Sequence, residues 1–232
     1  MNVLPSVEAS ALSEVEWLLG RGIHAAVAEG DAEGVSALLA RRPSLLESRD
    51  HRGFTPLHVA ILADREEIVR MLVERGAKVN ARSEDPKGVG VTPLHLAPMR
   101  GAEGVVEYML ASGADASARD RNGVTPLHMS AYLGNAGIAA RLVARCADVN
   151  AREVEGLTPL HVASDMGAGD VVRLLLRGGA DISARDVRGM TARAIAERKR
   201  NREIEEMILS GPEKGTSANI TRPTSGSCRR GG

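Results

Sequence analysis

One tetrapeptide recurs through this chain of 232 residues. Thr-Pro-Leu-His stands at Thr55–His58, Thr92–His95, Thr125–His128 and Thr158–His161, at steps of 37, 33 and 33 residues. A further step of 33 lands on Thr191, which opens a degenerate copy, and stepping back from Thr55 reaches Ile23-His24-Ala25-Ala26, a degenerate first copy. A fixed period of this size rules out one large central core. It demands short units that bury their apolar faces against each other. Composition agrees: only 2% of residues are aromatic, too few to fill a wide core, so the contacts between units must be small and aliphatic.

The residues within one period predict its shape. A threonine hydroxyl can accept an orphan backbone N–H at a helix start, and proline at the first helical position sets φ without wasting a donor. A short helix therefore begins at each Thr-Pro and ends near Gly101, Gly134 or Gly167. A second helix follows, with apolar residues at positions i, i+1, i+4 and i+5. Val105, Val106, Met109 and Leu110 form one such face, and Val171, Val172, Leu175 and Leu176 another. Gly-Ala-Asp at Gly113–Asp115 and Gly179–Asp181 supplies a left-handed cap. An extended stretch such as Ala147–Arg152 leads to the next threonine. The expected fold class is all-α: a solenoid of stacked helix-turn-helix units with projecting β-hairpin loops.

The pattern Asp120-x-x-Gly123-x-Thr125-Pro126-Leu127-His128, continuing to Ala147-Asp148-Val149-Asn150-Ala151, resembles the ankyrin repeat. The resemblance covers about Ile23 to Leu209. It implies an L-shaped stack with hairpin fingers and a concave groove, and a non-catalytic, protein-binding role. It also implies that the repeated histidine bonds to backbone around its own and the adjoining turn. The expected organisation is an N-terminal helix or half-repeat cap over residues 1–20, an ankyrin-repeat domain over 21–210, and a disordered tail over 211–232. Four full repeats lie near 50–82, 87–119, 120–152 and 153–185, between degenerate first and last copies. In the last copy Arg193 replaces the leucine of the motif and Glu205 replaces an apolar residue of the second helix, which makes an outer face wettable.

Several function classes lose support. Lys plus Arg equals Asp plus Glu at 30 each, so no long-range field draws the chain to nucleic acid or anionic lipid. There is no Gly-rich phosphate loop, serine elbow or HExxH zinc motif. His58, His95, His128 and His161 occur once per unit, and packed helices stand roughly 8–10 Å apart, so these rings cannot converge on one metal ion. No cofactor or small-molecule substrate is expected. Met1–Gly20 carries Glu8, Glu14 and Glu16 with no early Lys or Arg, the wrong sign for a secretory leader; no apolar run reaches membrane-spanning length, and a cytoplasmic location is expected. The two cysteines, Cys146 in a repeat and Cys228 in the polar tail, are not expected to pair.

Three departures mark individual repeats. The 37-residue step adds four residues to the finger from Arg82 to Val91. Pro98 sits inside a first helix and removes the N–H that would bond the Leu94 carbonyl. Asp64 and Cys146 stand where the pattern has glycine.

The resemblance places a protein partner against the finger tips and the exposed side of the first helices. The tip positions are Phe54, Val91, Val124, Leu157 and Met190, all apolar, and the groove positions include Leu62, Met99, Arg100, Tyr132, Leu133, Asp165 and Met166. Arg52, Arg121, Asn122, Glu155 and Arg188 rim this row, giving the apolar centre and polar edge of a protein interface. The expected partner-binding set is thus Arg52, Phe54, Leu62, Met99, Arg100, Arg121, Asn122, Val124, Tyr132, Leu133, Leu157, Asp165, Met166 and Arg188. The expected product is a monomeric scaffold, adaptor or inhibitor. The alternatives are nucleic-acid binding through a once-per-unit arginine row (Arg49, Arg82, Arg119, Arg152, Arg185), or an exported bacterial effector. Acidic neighbours such as Asp50, Asp120 and Asp186 weaken the nucleic-acid reading.

Overall fold

The computed structural model describes residues 22–84 and 89–211. The expected half-repeat of 1–20 lies outside the described residues, and so does the tail of 211–232 apart from Gly211. Twelve α-helices run in pairs along the described chain: α1 (Ile23–Glu29) and α2 (Ala32–Arg41), α3 (Pro56–Leu62) and α4 (Glu66–Glu74), α5 (Pro93–Leu96) and α6 (Glu103–Ala111). They continue as α7 (Pro126–Leu133) and α8 (Ala136–Ala144), α9 (Pro159–Met166) and α10 (Gly169–Arg177), α11 (Ala192–Arg198) and α12 (Arg202–Ser210). First helices pack on first helices in chain order, and second helices pack on second helices behind them.

The first helices α3, α5, α7 and α9 start at their threonines, with proline at the first helical position. The leucine that follows, Leu57, Leu94, Leu127 or Leu160, is at most 1% exposed and forms the spine of the stack. Burying each such leucine contributes roughly 1.5–3 kcal/mol. Ala60, Ala97, Ser130, Ala163 and Ala196 recur at one position of successive units at 0% exposure, and their small side chains let the backbones of successive units approach. The second helices bury the faces read from the sequence: Val105, Val106, Met109 and Leu110 in α6, and Val171, Val172, Leu175 and Leu176 in α10.

The turns have the geometry that their residues predict. Gly101, Gly134 and Gly167 close first helices at φ of 66°, 71° and 74°. Asp64 and Cys146, which replace glycine, adopt the same left-handed region at φ 57° and 64°. Pro98 stops α5 after one turn, and the chain continues to Arg100 as a tighter 3₁₀ turn. The fingers close as hairpins through paired backbone bonds: Asp50 N–H donates to the Phe54 carbonyl (2.9 Å) and Gly53 N–H back to Asp50 (2.9 Å), as Asp120 N–H does to Val124 (2.9 Å) and Gly123 N–H to Asp120 (3.1 Å). Their described residues form turns, with no regular strand. In the longer finger Ser83 N–H donates to the Val91 carbonyl at 2.8 Å, Glu84 N–H donates to the Gly53 carbonyl at 3.0 Å, and the Val89 carbonyl accepts from Arg121 N–H at 2.9 Å.

One expectation is overturned. Cys146 is disulfide-bonded. Assigning two cysteines to different segments of a sequence does not fix the distance between their thiols, which is what pairing requires.

Among the described residues no helix is long and apolar enough to cross a membrane.

Candidate functional site

The motif residues that look most chemical are consumed in holding the stack together. In each complete unit the threonine N–H donates to the Nδ1 of the histidine three residues on, at 3.1–3.3 Å, and the threonine hydroxyl lies 2.8 Å from the same atom. An Nδ1 that accepts leaves the proton on Nε2. That atom donates forward to the next finger: His58 to the Val91 carbonyl (3.1 Å), His95 to Val124 (3.0 Å), His128 to Leu157 (3.1 Å) and His161 to Met190 (3.1 Å). His24 makes the same bond to Phe54 at 3.0 Å. Burial holds the four repeat imidazoles below their ordinary pKa, and His58 falls to about 4 despite the opposing pull of the Val91 carbonyl. Among the described residues, no group of three His, Cys, Asp or Glu side chains is placed to hold a metal ion.

The arginine row forms a second ladder in the same direction. Arg49 Nη1 donates to the Arg82 carbonyl and Arg82 Nη1 to the Arg119 carbonyl, both at 2.7 Å. Arg119 then donates to Arg152, and Arg152 to Arg185. These guanidinium donors face peptide oxygens within the protein rather than standing free for a phosphate backbone.

The groove residues fall into two sets. Met99, Tyr132, Leu133 and Met166 are exposed at 53%, 57%, 40% and 43% at the open ends of the first helices. Arg100 is exposed there too, and its Nε donates to the carbonyl of half-buried Leu62. Asp165 is half-buried and lies 3.0 Å from Lys199 and 3.8 Å from Arg198. By contrast Phe54, Val124 and Leu157 are half-buried, because their carbonyls turn inward to the histidines. Phe54 stacks on His58 with ring centres 5.4 Å apart, and the Arg52 guanidinium carbon lies 5.0 Å from the centre of the Phe54 ring while Arg52 pairs with Asp50 at 3.0 Å. The true tips lie two or three residues earlier. Arg121, Asn122 and Arg188 are there, exposed as expected, beside Val154 and Val187, which are 62% and 63% exposed and absent from the sequence-based set.

The structure brings part of the expected set together around one cavity of about 330 Å³ on the concave side. Tyr132 from α7, Val162 and Met166 from α9, Ile195 from α11 and Leu157 and Val187 from two successive fingers make its apolar surface. Glu155, Asp165, Asp186, Arg188 and Arg198 make the polar part. Met99, Leu62 and Phe54 lie on earlier units and are not among its lining residues. Val162, Val187 and Ile195 were missed; the period could have found Val187, which stands two units on from Arg121, whereas Val162 and Ile195 stand one unit apart at a position that the expected set does not include.

The sequence profile described as ankyrin repeats (3 copies) matches residues 15–83, 94–186 and 140–221. The chain belongs to the ankyrin-repeat family. Ankyrin repeats generally serve as protein-interaction modules and are typically non-catalytic. This ankyrin-repeat chain is also 45% identical over 54 residues to the serine/threonine-protein kinase VIK of Arabidopsis thaliana. That likeness covers 23% of this chain and 12% of the kinase, so the chain spans about an eighth of that relative's length and shares nothing shown of its activity.

Proposed function

We propose that this ankyrin-repeat chain is a non-enzymatic scaffold, adaptor or inhibitor that holds a protein partner in its concave groove. The observation that carries this reading is the row of Met99, Tyr132, Leu133 and Met166, large apolar side chains left 40–57% exposed rather than packed into the core, two of which, Tyr132 and Met166, line a cavity. Tyrosine and methionine suit an interface centre, since one offers rigid area and the other adapts its shape. The cavity stands at the small end of pockets that take small molecules, which favours a side chain of a partner over a free metabolite. The repeat domain of 21–210 is the binding unit in this proposal, acting as a monomer in the cytoplasm. Nucleic-acid binding is disfavoured because acidic residues such as Asp50, Asp120 and Asp186 stand beside the finger arginines in a chain with no net charge.

The test is Tyr132→Ala combined with Met99→Ala, scored for folding and for capture of partners from the native organism. Folding is expected to change by no more than about 0.5 kcal/mol per exposed site. Capture is expected to weaken at least tenfold, about 1.4 kcal/mol. A variant that folds and still captures every partner refutes the groove.

A further inference from the structure

We propose that the open side of the last described finger is a docking site for the chain's own residues 217–223, which fold against it as one further finger and lengthen the row of tips. The inference goes beyond the groove reading and stands whatever the groove holds. Along the stack, the tips donate a backbone N–H to the finger before them. Arg121 donates to the Val89 carbonyl (2.9 Å), Val154 to Asn122 (2.8 Å) and Val187 to Glu155 (2.9 Å). One period on, the next acceptor in this series is Arg188. It is exposed, and its carbonyl receives no hydrogen bond from a described residue. The guanidinium ladder stops at the same place. Arg49, Arg82, Arg119 and Arg152 each reach the finger that follows, whereas among the described residues Arg185 donates only to the Gly189 carbonyl of its own finger, at 2.8 Å. Gly189 is bare as well. A Cβ on Gly123 or Gly156 would stand 3.1 Å from the Glu153 Cα or 3.3 Å from the Asp186 Cα of the following finger, while one on Gly189 would meet no described atom within 4 Å. The last described finger is thus the exposed edge of a ladder, and it offers an acceptor, a donor and a backbone surface that are covered on the fingers before it.

The period names the occupant. The later fingers each follow a second helix, and the chain leaves α12 at Ser210. A step of 33 from Val187 lands on Ile220, which continues the exposed apolar tips Val154 and Val187, and a step of 33 from Thr191 lands on Thr224. Asn219 stands one period after Asp186, whose Oδ1 accepts the Arg188 N–H at 2.9 Å, and an asparagine oxygen can close the same turn. The family match also runs to residue 221. Two positions depart from the pattern. Arg222 replaces the turn glycine, and Pro223 lacks the N–H that Met190 donates to Asp186 at 2.7 Å. An arginine fits at 222 only where no finger closes over it, which makes this a terminal finger. The left-handed turn and the lost bond make it the weakest of the row. Covalent continuity favours this segment over a second copy of the chain, because its local concentration does not fall on dilution.

The experiment is amide hydrogen exchange by NMR on the full chain, with reductant present so that no disulfide constrains the segment. The Ile220 amide is expected to exchange at least tenfold more slowly than its sequence sets for an unfolded chain, at every protein concentration. Ile220→Pro removes the donor and leaves the repeats untouched, as circular dichroism can check. It is expected to shift the Arg188 carbonyl carbon and the Gly189 amide. An Ile220 amide that exchanges at the unfolded rate overturns the inference. So does a protected Ile220 amide with Arg188 and Gly189 signals that ignore Ile220→Pro, since the segment then docks elsewhere. Protection that grows with protein concentration, together with a rising mass in sedimentation, assigns the open edge to a second copy and overturns it too. None of these results bears on the Tyr132→Ala and Met99→Ala test of the groove.

Discussion

Acid should loosen this stack well before its carboxylates protonate. His58 is fully buried, its Nδ1 accepts from Thr55 and its Nε2 donates to Val91, so no site is left for a second proton. Its pKa falls from 6.5 to about 4, with burial as the main cause. Above pH 6.5 the ring is neutral in the folded and unfolded chains alike, and its contribution is intact. As pH drops through that range the unfolded chain takes up a proton that the folded chain refuses, and stability is lost until pH passes about 4. A difference of this size amounts to about 3 kcal/mol from one residue, against a typical total of about 5–15 kcal/mol. His95, His128 and His161 are shifted in the same direction by the same cause and add to the loss. Asp50 belongs to a separate, lower window. Burial pushes its carboxyl up, but the amides of Phe54 and Arg52 and the Arg52 guanidinium hold it below 3.8. Urea unfolding followed by helical circular dichroism from pH 7.5 to 4.5 isolates the histidines. Stability should fall continuously below pH 6.5, and His58→Gln, though weaker at pH 7.5, should show a shallower fall. Nitrogen NMR should find the proton on Nε2. A flat stability profile over that range, or a His58 ring that titrates near 6.5 in the folded protein, refutes the reasoning.

Two further outcomes follow from backbone geometry. Asp64→Gly, and Cys146→Gly measured with reductant present, should each raise stability by about 1 kcal/mol, since both residues hold a left-handed φ that glycine accepts at less cost; a loss in denaturant midpoint would show that the side chain contributes more than the strain. Gly156→Ala should destabilise by more than about 1 kcal/mol, because φ is +75° and a new Cβ would stand 3.3 Å from the Asp186 Cα. An unchanged unfolding curve for that variant would contradict the close approach of the last two fingers.

The local parts of this architecture were legible in the sequence, and the parts made by neighbours were not. Thr55-Pro56 marks a helix start because capping is settled within one turn, and Asp64 could be assigned to a left-handed turn because glycine holds that place in the other units. The tip row failed on a long-range bond. Phe54 reads as a tip when only spacing is known, yet its carbonyl is drawn toward His24, and the tip moves back to His51 and Arg52. The arginine row was visible as a period, but its acceptors lie 33 or 37 residues away on another finger. Val187 and Ile195 join the cavity only because two successive units curve around the same space.

The seams between units run in opposite senses on the two edges of the stack. Along the hairpins, histidine and arginine reach toward the following unit, and Asn80 and Asn150 do likewise, bonding Gly113 and Gly179. Along the inter-helix turns, Arg65, Arg100 and Asn135 reach back to Ala28, Leu62 and Pro98. Each unit thus works like a keyed link, carrying a plug on one edge and the matching socket on the other. A whole unit can be duplicated, deleted or exchanged with its neighbours without orphaning an interior joint, provided that the cut keeps the period. Extra length is admissible where it spares the keys, and the longer finger obeys this: it takes its added residues between Ser83 and Val91 while His58 and Arg82 still reach the Val91 and Arg119 carbonyls.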